Sequence, residues 1–188
     1  MMPTQAEAVV IGASAGALDA LSAILPALPK AFRLPVMVVV HVPAGKRSVL
    51  AELFQAKCRV QVKEADDKEP IIGGTVYFAP SDCHLLIESD KSLSLSSDEP
   101  VLFSRPSIDV LFESAADAYG AALIAIVLTG ANEDGAKGMR AAIDLGGLAL
   151  VQAPGQAFAS TMPEAAIRLC PGAQVMALEE IAMFLQKV

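Results

Sequence analysis

The sequence predicts an α/β fold: a doubly wound, mostly parallel sheet with helices on both faces and an inserted antiparallel hairpin. Short apolar runs rich in β-branched residues alternate along the chain with longer helical patterns. Some of these runs, such as residues 36–41, lack polar alternation, which indicates strands buried on both faces. Hydrophobic residues make up 54% of the 188-residue chain and charged residues 19%, so one domain with a large core is expected.

The chain opens with a strand, a tight turn and a helix. The apolar run at residues 8–11 predicts the strand, and the amphipathic stretch at 17–28 predicts the helix. Between them lies the pentapeptide Gly12-Ala13-Ser14-Ala15-Gly16. Glycines and other small residues allow the backbone to turn sharply at that point.

The next segments are a second strand and a group of short strands. The strand at residues 36–41 stops before Pro43, and a helix at 48–57 follows with Ser48 as its N-cap. Glycine, proline and aspartate turns then separate four short strand candidates, residues 60–64, 75–79, 84–88 and 92–96. The last two of these form the predicted antiparallel hairpin.

The second half of the chain returns to strand–helix alternation. Pro106 and Ser107 mark the start of a helix at residues 108–119. A polar turn at 130–135 separates a long buried strand from a helix that ends at Leu145. The remaining predicted elements are strands at 123–129, 148–152 and 174–177 and helices at 163–169 and 178–187.

The pentapeptide around Ser14 is a candidate catalytic motif. A Gly-x-Ser-x-Gly turn between strand and helix can expose a nucleophilic serine, and the N-terminus of the helix would stabilise an oxyanion. A similar turn can instead cradle a phosphate or be a plain tight turn. The pentapeptide alone leaves these alternatives open.

Two further residues make a triad the stronger interpretation. His41 ends the second strand, and Asp134 lies in the turn after residues 123–129. Functional groups collect at the carboxyl ends of parallel strands, so Ser14, His41 and Asp134 are expected at one edge of the sheet. The backbone N–H groups of Ala15 and Ala131 are the expected oxyanion donors.

The other polar residues near these positions have less specific interpretations. His84 is expected to be a surface or hairpin residue hydrogen-bonded to Asp82. Asp134 could also cap the helix that begins at Gly135, and Asp109, a rival acid, suits helix capping. Arg105 could bind a substrate carboxylate or brace its loop.

Composition excludes several classes of partner. The formal charge is −7 and no basic cluster occurs, which argues against nucleic acid and anionic membrane surfaces. No apolar run approaches the ~20 residues of a membrane span. The three scattered cysteines indicate reduced thiols in the cytoplasm, neither a disulfide framework nor a zinc site. We expect no cofactor and no metal.

A set of motifs resembles a known family. These are Ile11-Gly12-Ala13-Ser14, His41-Val42-Pro43, Tyr77-Phe78-Ala79-Pro80 with His84, Arg105-Pro106-Ser107-Ile108-Asp109-Val110-Leu111-Phe112, Leu128-Thr129-Gly130 with Asp134-Gly135-Ala136 and Gly138-Met139, and Met162-Pro163-Glu164-Ala165-Ala166. Over residues 7–188 the chain resembles the catalytic domain of the chemotaxis receptor protein-glutamate methylesterases, the CheB family. The family's catalytic serine, histidine and aspartate fall on Ser14, His41 and Asp134.

The resemblance implies a function and leaves alternatives. It implies a cytoplasmic hydrolase that demethylates glutamyl methyl esters on the methylated helices of chemoreceptors, and deamidates glutamines there, through an acyl-enzyme. We expect residues 1–188 to be a single catalytic domain without a receiver domain. The alternatives are a catalytically weak scaffold or binding module of a chemosensory complex and a dinucleotide-binding domain. The latter would require an acidic residue where His41 stands.

Departures from the family pattern lie beside the candidate nucleophile. Ser14 is followed by Ala15-Gly16-Ala17 where the family usually has Thr-Gly-Gly. Ala131 replaces a common methionine, and Thr161 replaces the usual glycine before Met162. These changes put the identity of the substrate in more doubt than the type of reaction.

Overall fold

The computed structural model describes residues 5–43, 45–46 and 48–188. The helices are α1 Ala17–Ile24, α2 Leu50–Gln55, α3 Ile108–Tyr119, α4 Ala136–Asp144, α5 Thr161–Leu169 and α6 Leu178–Leu185. The strands are β1 Ala8–Ala13, β2 Val36–Val40, β3 Gln61–Glu64, β4 Thr75–Phe78, β5 His84–Ile87, β6 Leu93–Ser96, β7 Leu123–Val127, β8 Leu148–Gln152 and β9 Gln174–Met176.

Seven strands form one parallel sheet in the order β3-β4-β2-β1-β7-β8-β9. The chain builds outward from β1 on one side through β2, and later returns to the other side of β1 through β7. The order therefore reverses at β1. In sheets of this type, ligands bind in the crevice outside the carboxyl ends of the strands at such a switch point.

The sheet is buried on both faces, as predicted. Successive residues of β1 contribute to opposite layers: Val10 packs in one apolar cluster, and Val9 and Ile11 pack in the other. All six residues of β1 are buried. A strand covered on both sides has no polar positions, which explains the uninterrupted apolar runs in the sequence.

The predicted hairpin is present, as a sheet of its own. β5 and β6 pair antiparallel, with His84 opposite Ser96, and neither strand joins the seven-stranded sheet. The hairpin is attached to α3, because the Ile87 N–H donates to Ser114 Oγ at 3.0 Å. The fold class is confirmed, with strand and helix types where the sequence predicted them.

Several predicted boundaries were wrong by a few residues. α1 ends at Ile24, and Pro26 then lies in a short 3₁₀ turn. α2 begins at Leu50 instead of Ser48, although Ser48 Oγ accepts a hydrogen bond from the Leu50 N–H at 3.4 Å. α5 begins at Thr161, since a proline in the first turn, here Pro163, is compatible with a helix. Within the described residues, no helix is long and apolar enough to span a membrane.

Candidate active site

Ser14 and His41 follow the last residues of two neighbouring strands, β1 and β2, at the same edge of the sheet. Ala13 on β1 pairs with Val40 on β2, so each candidate residue comes directly after a paired position. The His41 N–H also donates to the Ala13 carbonyl at 3.2 Å. Both side chains line a cleft of about 450 Å³. The convergence expected from strand order is therefore present for these two residues.

The turn at Ser14 is held on both sides. The Ser14 N–H donates to the Thr129 carbonyl, and the Ser14 carbonyl accepts from the Ala17 N–H, both at 2.9 Å. Gly16 has φ +84°, and a Cβ at Gly16 would lie 2.5 Å from Cβ of Phe158. Only glycine satisfies both conditions. This sharp turn explains why small residues surround the serine.

The same hydrogen bonds orient the first candidate oxyanion donor. The Ser14 carbonyl and the Ala15 N–H belong to one trans peptide and point in opposite directions. Because that carbonyl faces Ala17, the Ala15 N–H points away from the body of α1. Ala131, the second candidate, is exposed in the loop between β7 and α4. Within the described ranges, neither N–H has a hydrogen-bond partner in the protein.

His41 contacts the predicted acid directly. Its Nε2 lies 2.8 Å from Oδ2 of Asp134, with side-chain exposures of 12% and 0%. An ionised carboxylate only accepts hydrogen bonds, so the Nε2 proton is donated to Asp134 and Nδ1 keeps its lone pair. Nδ1 is therefore the ring nitrogen available as a base. Across the described part of the chain, no hydrogen bond joins Ser14 Oγ to this ring, as is common in apo sites.

Asp134 is held by the N-terminus of α3. Its Oδ1 accepts from Ser107 Oγ and from the Asp109 N–H, both at 2.9 Å, and its Oδ2 accepts from the Ile108 N–H at 2.7 Å. Burial alone would raise the pKa of Asp134, but the hydrogen bond from His41 and those from the Asp109 and Ile108 amides lower it. The carboxylate therefore stays ionised beside His41.

Asp109, in the first turn of α3, accepts hydrogen bonds from the start of α4. Its Oδ1 accepts from the Gly135 N–H at 2.9 Å and from the Gly138 N–H at 2.8 Å. Burial raises its pKa to about 6, aided by the charge of Asp134 and opposed by the two amides. The suggestion that Asp134 caps the helix beginning at Gly135 was wrong, because each aspartate binds the N-terminus of the other's helix. Asp109 does cap a helix, as its position in the sequence indicated, but that helix is α4.

His84 lies in the hairpin, one of the two places that the sequence predicted, and it is not on the surface. The predicted hydrogen bond to Asp82 was wrong. The His84 side chain is buried and forms hydrogen bonds with Ser107 and Glu99, and none with Asp82. Asp82 pairs instead with the Arg105 guanidinium, at 3.1 Å.

Arg105 braces its own loop. Its Nη1 donates to the Ser97 and Asp98 carbonyls at 2.9 and 3.1 Å. The loop forms one side of a second cleft, of about 370 Å³, which His41 also lines. His41 thus lines both clefts.

Three further observations concern the cysteines, possible metal ligands and Ser107. All three cysteines are free. Within those residues, no group of three or more acidic, histidine or cysteine side chains is placed to hold a metal ion. Ser107 is a hydrogen-bond donor to the candidate acid that the sequence did not reveal. Its place before α3 predicts a helix start, whereas its bond to an aspartate 27 positions away depends on tertiary packing.

The fold and the site define a class: a parallel α/β protein with a serine, a histidine and a buried carboxylate at the switch point of its sheet. A family model for the CheB methylesterase matches residues 9–185. The chain therefore belongs to the CheB methylesterase family. The structure is similar to the crystal structure of the Thermotoga maritima CheB methylesterase catalytic domain, with a TM-score of 0.92 and 32% identity over 98% of this chain and 99% of that one.

Related sequences support the same assignment. A Leptospira interrogans protein, provisionally named as a protein-glutamate methylesterase/protein-glutamine glutaminase, is 47% identical over 94% of this chain and 91% of its own length. An Archaeoglobus fulgidus protein-glutamate methylesterase/protein-glutamine glutaminase is 38% identical over 93% of this chain. This chain covers 51% of the length of the Archaeoglobus protein. The resemblance drawn from the motifs is confirmed.

Proposed function

We propose that this chain hydrolyses glutamyl methyl esters on the cytoplasmic helices of chemoreceptors, with Ser14, His41 and Asp134 as a catalytic triad. The observation that carries the proposal is the His41–Asp134 hydrogen bond of 2.8 Å beside a serine at the adjoining strand end. The names of the relatives supply the substrate class. The proposed place of action is the cytoplasm, where free thiols stay reduced.

Each residue has one role in the proposed reaction. His41 Nδ1 takes the proton of Ser14 Oγ as that oxygen attacks the ester carbonyl. The carbonyl oxygen becomes an oxyanion facing the Ala15 and Ala131 N–H groups. Asp134, held ionised, stabilises the His41 cation and fixes its tautomer. No metal or cofactor has a part in these steps.

Collapse of the tetrahedral intermediate completes the first half-reaction. The bond from carbon to the methoxy oxygen breaks, and methanol leaves with the proton from His41 Nδ1. A glutamyl ester of Ser14 remains. Water, deprotonated by the same nitrogen, then attacks that ester. The bond between the carbonyl carbon and Ser14 Oγ breaks, and His41 returns its proton to Ser14 Oγ, which frees Ser14 and leaves a glutamate side chain on the receptor. Deamidation of glutamine follows the same path with ammonia as the leaving group.

The departures from the family pattern are compatible with this proposal. An oxyanion is bound through backbone N–H groups, which alanine supplies at positions 15 and 131 as well as any other residue. The hydroxyl lost at Ala15 and the thioether lost at Ala131 would face the substrate. We therefore expect the changes to affect binding of a particular receptor more than the chemical steps.

Release of methanol from a methylated chemoreceptor fragment tests the proposal. The unaltered chain should release methanol, Ser14→Ala should release none, and His41→Ala should be nearly inactive. Ser48 lines the same cleft as Ser14, so Ser48→Ala is a matched control that should retain activity. Equal rates for the unaltered chain and Ser14→Ala, or no methanol from either, would favour the scaffold alternative.

A further inference from the structure

His84 is a buried histidine that the proposed reaction does not use. Its exposure is 2%, and it opens β5, outside the seven-stranded sheet. A histidine with this little exposure needs a partner for each ring nitrogen, since an unpaired buried polar group is costly. The structure supplies both partners, and one of them leads to the candidate active site.

The two partners fix one tautomer of His84. Nδ1 accepts a hydrogen bond from the Ser107 N–H at 3.1 Å, so Nδ1 carries no proton. Nε2 lies 3.0 Å from the Glu99 carbonyl and donates to it. The ring is thus neutral, with its proton on Nε2. It connects the hairpin and the loop at residue 99 to the residue that precedes α3.

Ser107 in turn controls how Asp134 is held. Ser107 is fully buried, and its hydroxyl donates to Oδ1 of Asp134. The next two amides, of Ile108 and Asp109, also donate to that carboxylate. A shift of Ser107 would therefore disturb every bond to Asp134 that comes from the start of α3.

We infer that His84 is a positioning residue for the reaction, acting through Ser107 on the Asp134 carboxylate. His84 lines neither of the clefts next to His41, so it does not contact the substrate. Without an acceptor at Nδ1, the buried Ser107 N–H would be left unsatisfied, at a cost of about 1–3 kcal/mol. The start of α3 would relax, and Asp134 would stabilise the His41 cation less well. The inference rests on the proposed triad.

Two substitutions separate the two hydrogen bonds of His84. Asparagine places its Oδ1 near the position of Nδ1, so His84→Asn keeps the acceptor for Ser107. Glutamine places its amide nitrogen near the position of Nε2, so His84→Gln keeps only the donor to Glu99. Ser114→Ala is a matched control, since it removes another hydrogen bond between the hairpin and α3 and Ser114 is not among the residues at the start of α3 that bind Asp134.

The experiment measures how fast a fluorophosphonate ester modifies Ser14, as a function of probe concentration. His84→Gln should lower the limiting rate about 10- to 100-fold with an unchanged half-saturation concentration, because chemistry is impaired and binding is not. His84→Asn should retain most of the limiting rate, and Ser114→Ala should match the unaltered chain. A histidine that served only hairpin folding would give equal losses for Asn and Gln, which would overturn the inference.

Ser107→Ala keeps the test decisive if His84→Gln fails to fold. This variant retains the backbone N–H that donates to His84 Nδ1 and loses only the Ser107 hydroxyl that donates to Asp134. For Ser107→Ala alone we expect a limiting rate about 10-fold lower. Where His84→Gln does fold, the combined loss should be smaller than the product of the two single losses. A rate equal to that of the unaltered chain would overturn the inference. Absence of labelling in the unaltered chain would instead overturn the proposed function, and the inference with it.

Discussion

Asp134 and Asp109 occupy equivalent positions and have opposite properties. Each lies near the start of one helix and accepts backbone N–H groups from the start of the other. Asp134 also accepts from His41, and its pKa is lowered. Among the described residues Asp109 forms no ion pair with a cationic side chain, and burial raises its pKa to about 6. Similar capping geometry therefore gives an ionised carboxylate where a histidine is present and a more easily protonated one where it is absent.

Substitution by asparagine separates the two aspartates most sharply. Asp134→Asn should lower the rate of ester hydrolysis by about 10⁴-fold, because an amide cannot both accept from His41 Nε2 and stabilise its cation. Asp109→Asn keeps an oxygen for the Gly135 and Gly138 amides, so its loss should stay below about tenfold. Steady-state rates of methanol release measure both. Losses of similar size would show that Asp134 serves only to cap α3.

Asp109 and Asp134 should also contribute to stability with opposite dependence on pH. Folding raises the pKa of Asp109 from 3.8 to about 6, so the folded state holds its proton more tightly than the unfolded state. The tighter binding of this proton stabilises the folded state at low pH. As pH rises from about 4 to about 6 this contribution is lost, and the free energy of unfolding falls by up to about 3 kcal/mol. Asp134 has the opposite sign: its contribution is present above the ordinary pKa of 3.8 and falls only below it.

Urea unfolding across this pH window measures the difference. The free energy of unfolding of the unaltered chain, relative to that of Asp109→Asn, should decrease between about pH 4 and pH 7. A difference that stays constant with pH would mean that Asp109 is ionised in the fold throughout. The comparison needs no activity assay, so it is independent of the proposed substrate.

Forcing α3 and α4 apart should weaken both caps together. A Cβ at Gly138 would lie 2.5 Å from Cβ of Phe112 and 3.0 Å from the Asp109 carbonyl oxygen. Gly138→Ala should lower the free energy of unfolding by about 2 kcal/mol and slow the modification of Ser14 as well. Gly172→Ala is the control, because a Cβ there meets no atom within 4 Å. Equal stability of the two variants would contradict this packing.

The sequence predicted the parts of the site that follow from strand order. Ser14 and His41 each come directly after a run of buried apolar residues, and such runs become central parallel strands. The carboxyl ends of parallel strands meet at one edge of the sheet, which predicted that the two residues converge, whereas the register of β1 and β2 comes from the structure. Asp134 follows a third central strand and was found in the same way.

The parts that the sequence did not predict depend on contacts between distant elements. The exchange of caps between α3 and α4 requires the packed helices, because a helix start looks the same whichever aspartate serves it. A hydrogen bond between His84 and Asp82 was predicted because the two residues are close in sequence. In the structure Asp82 forms an ion pair with Arg105, and His84 accepts a hydrogen bond from Ser107. Local sequence identifies helix starts and hairpins but not the partners they find in the folded chain.

The central claim is that Ser14 is a nucleophile activated by His41 and Asp134. Mass spectrometry of the intact chain after exposure to a fluorophosphonate ester tests it most directly, with the modified residue located by peptide mapping. We predict one added phosphonyl group, carried by Ser14, with modification strongly slowed in His41→Ala and Asp134→Asn and absent in Ser14→Ala. A chain that stays unmodified, or that is modified at Ser14 equally fast without His41, would contradict the account.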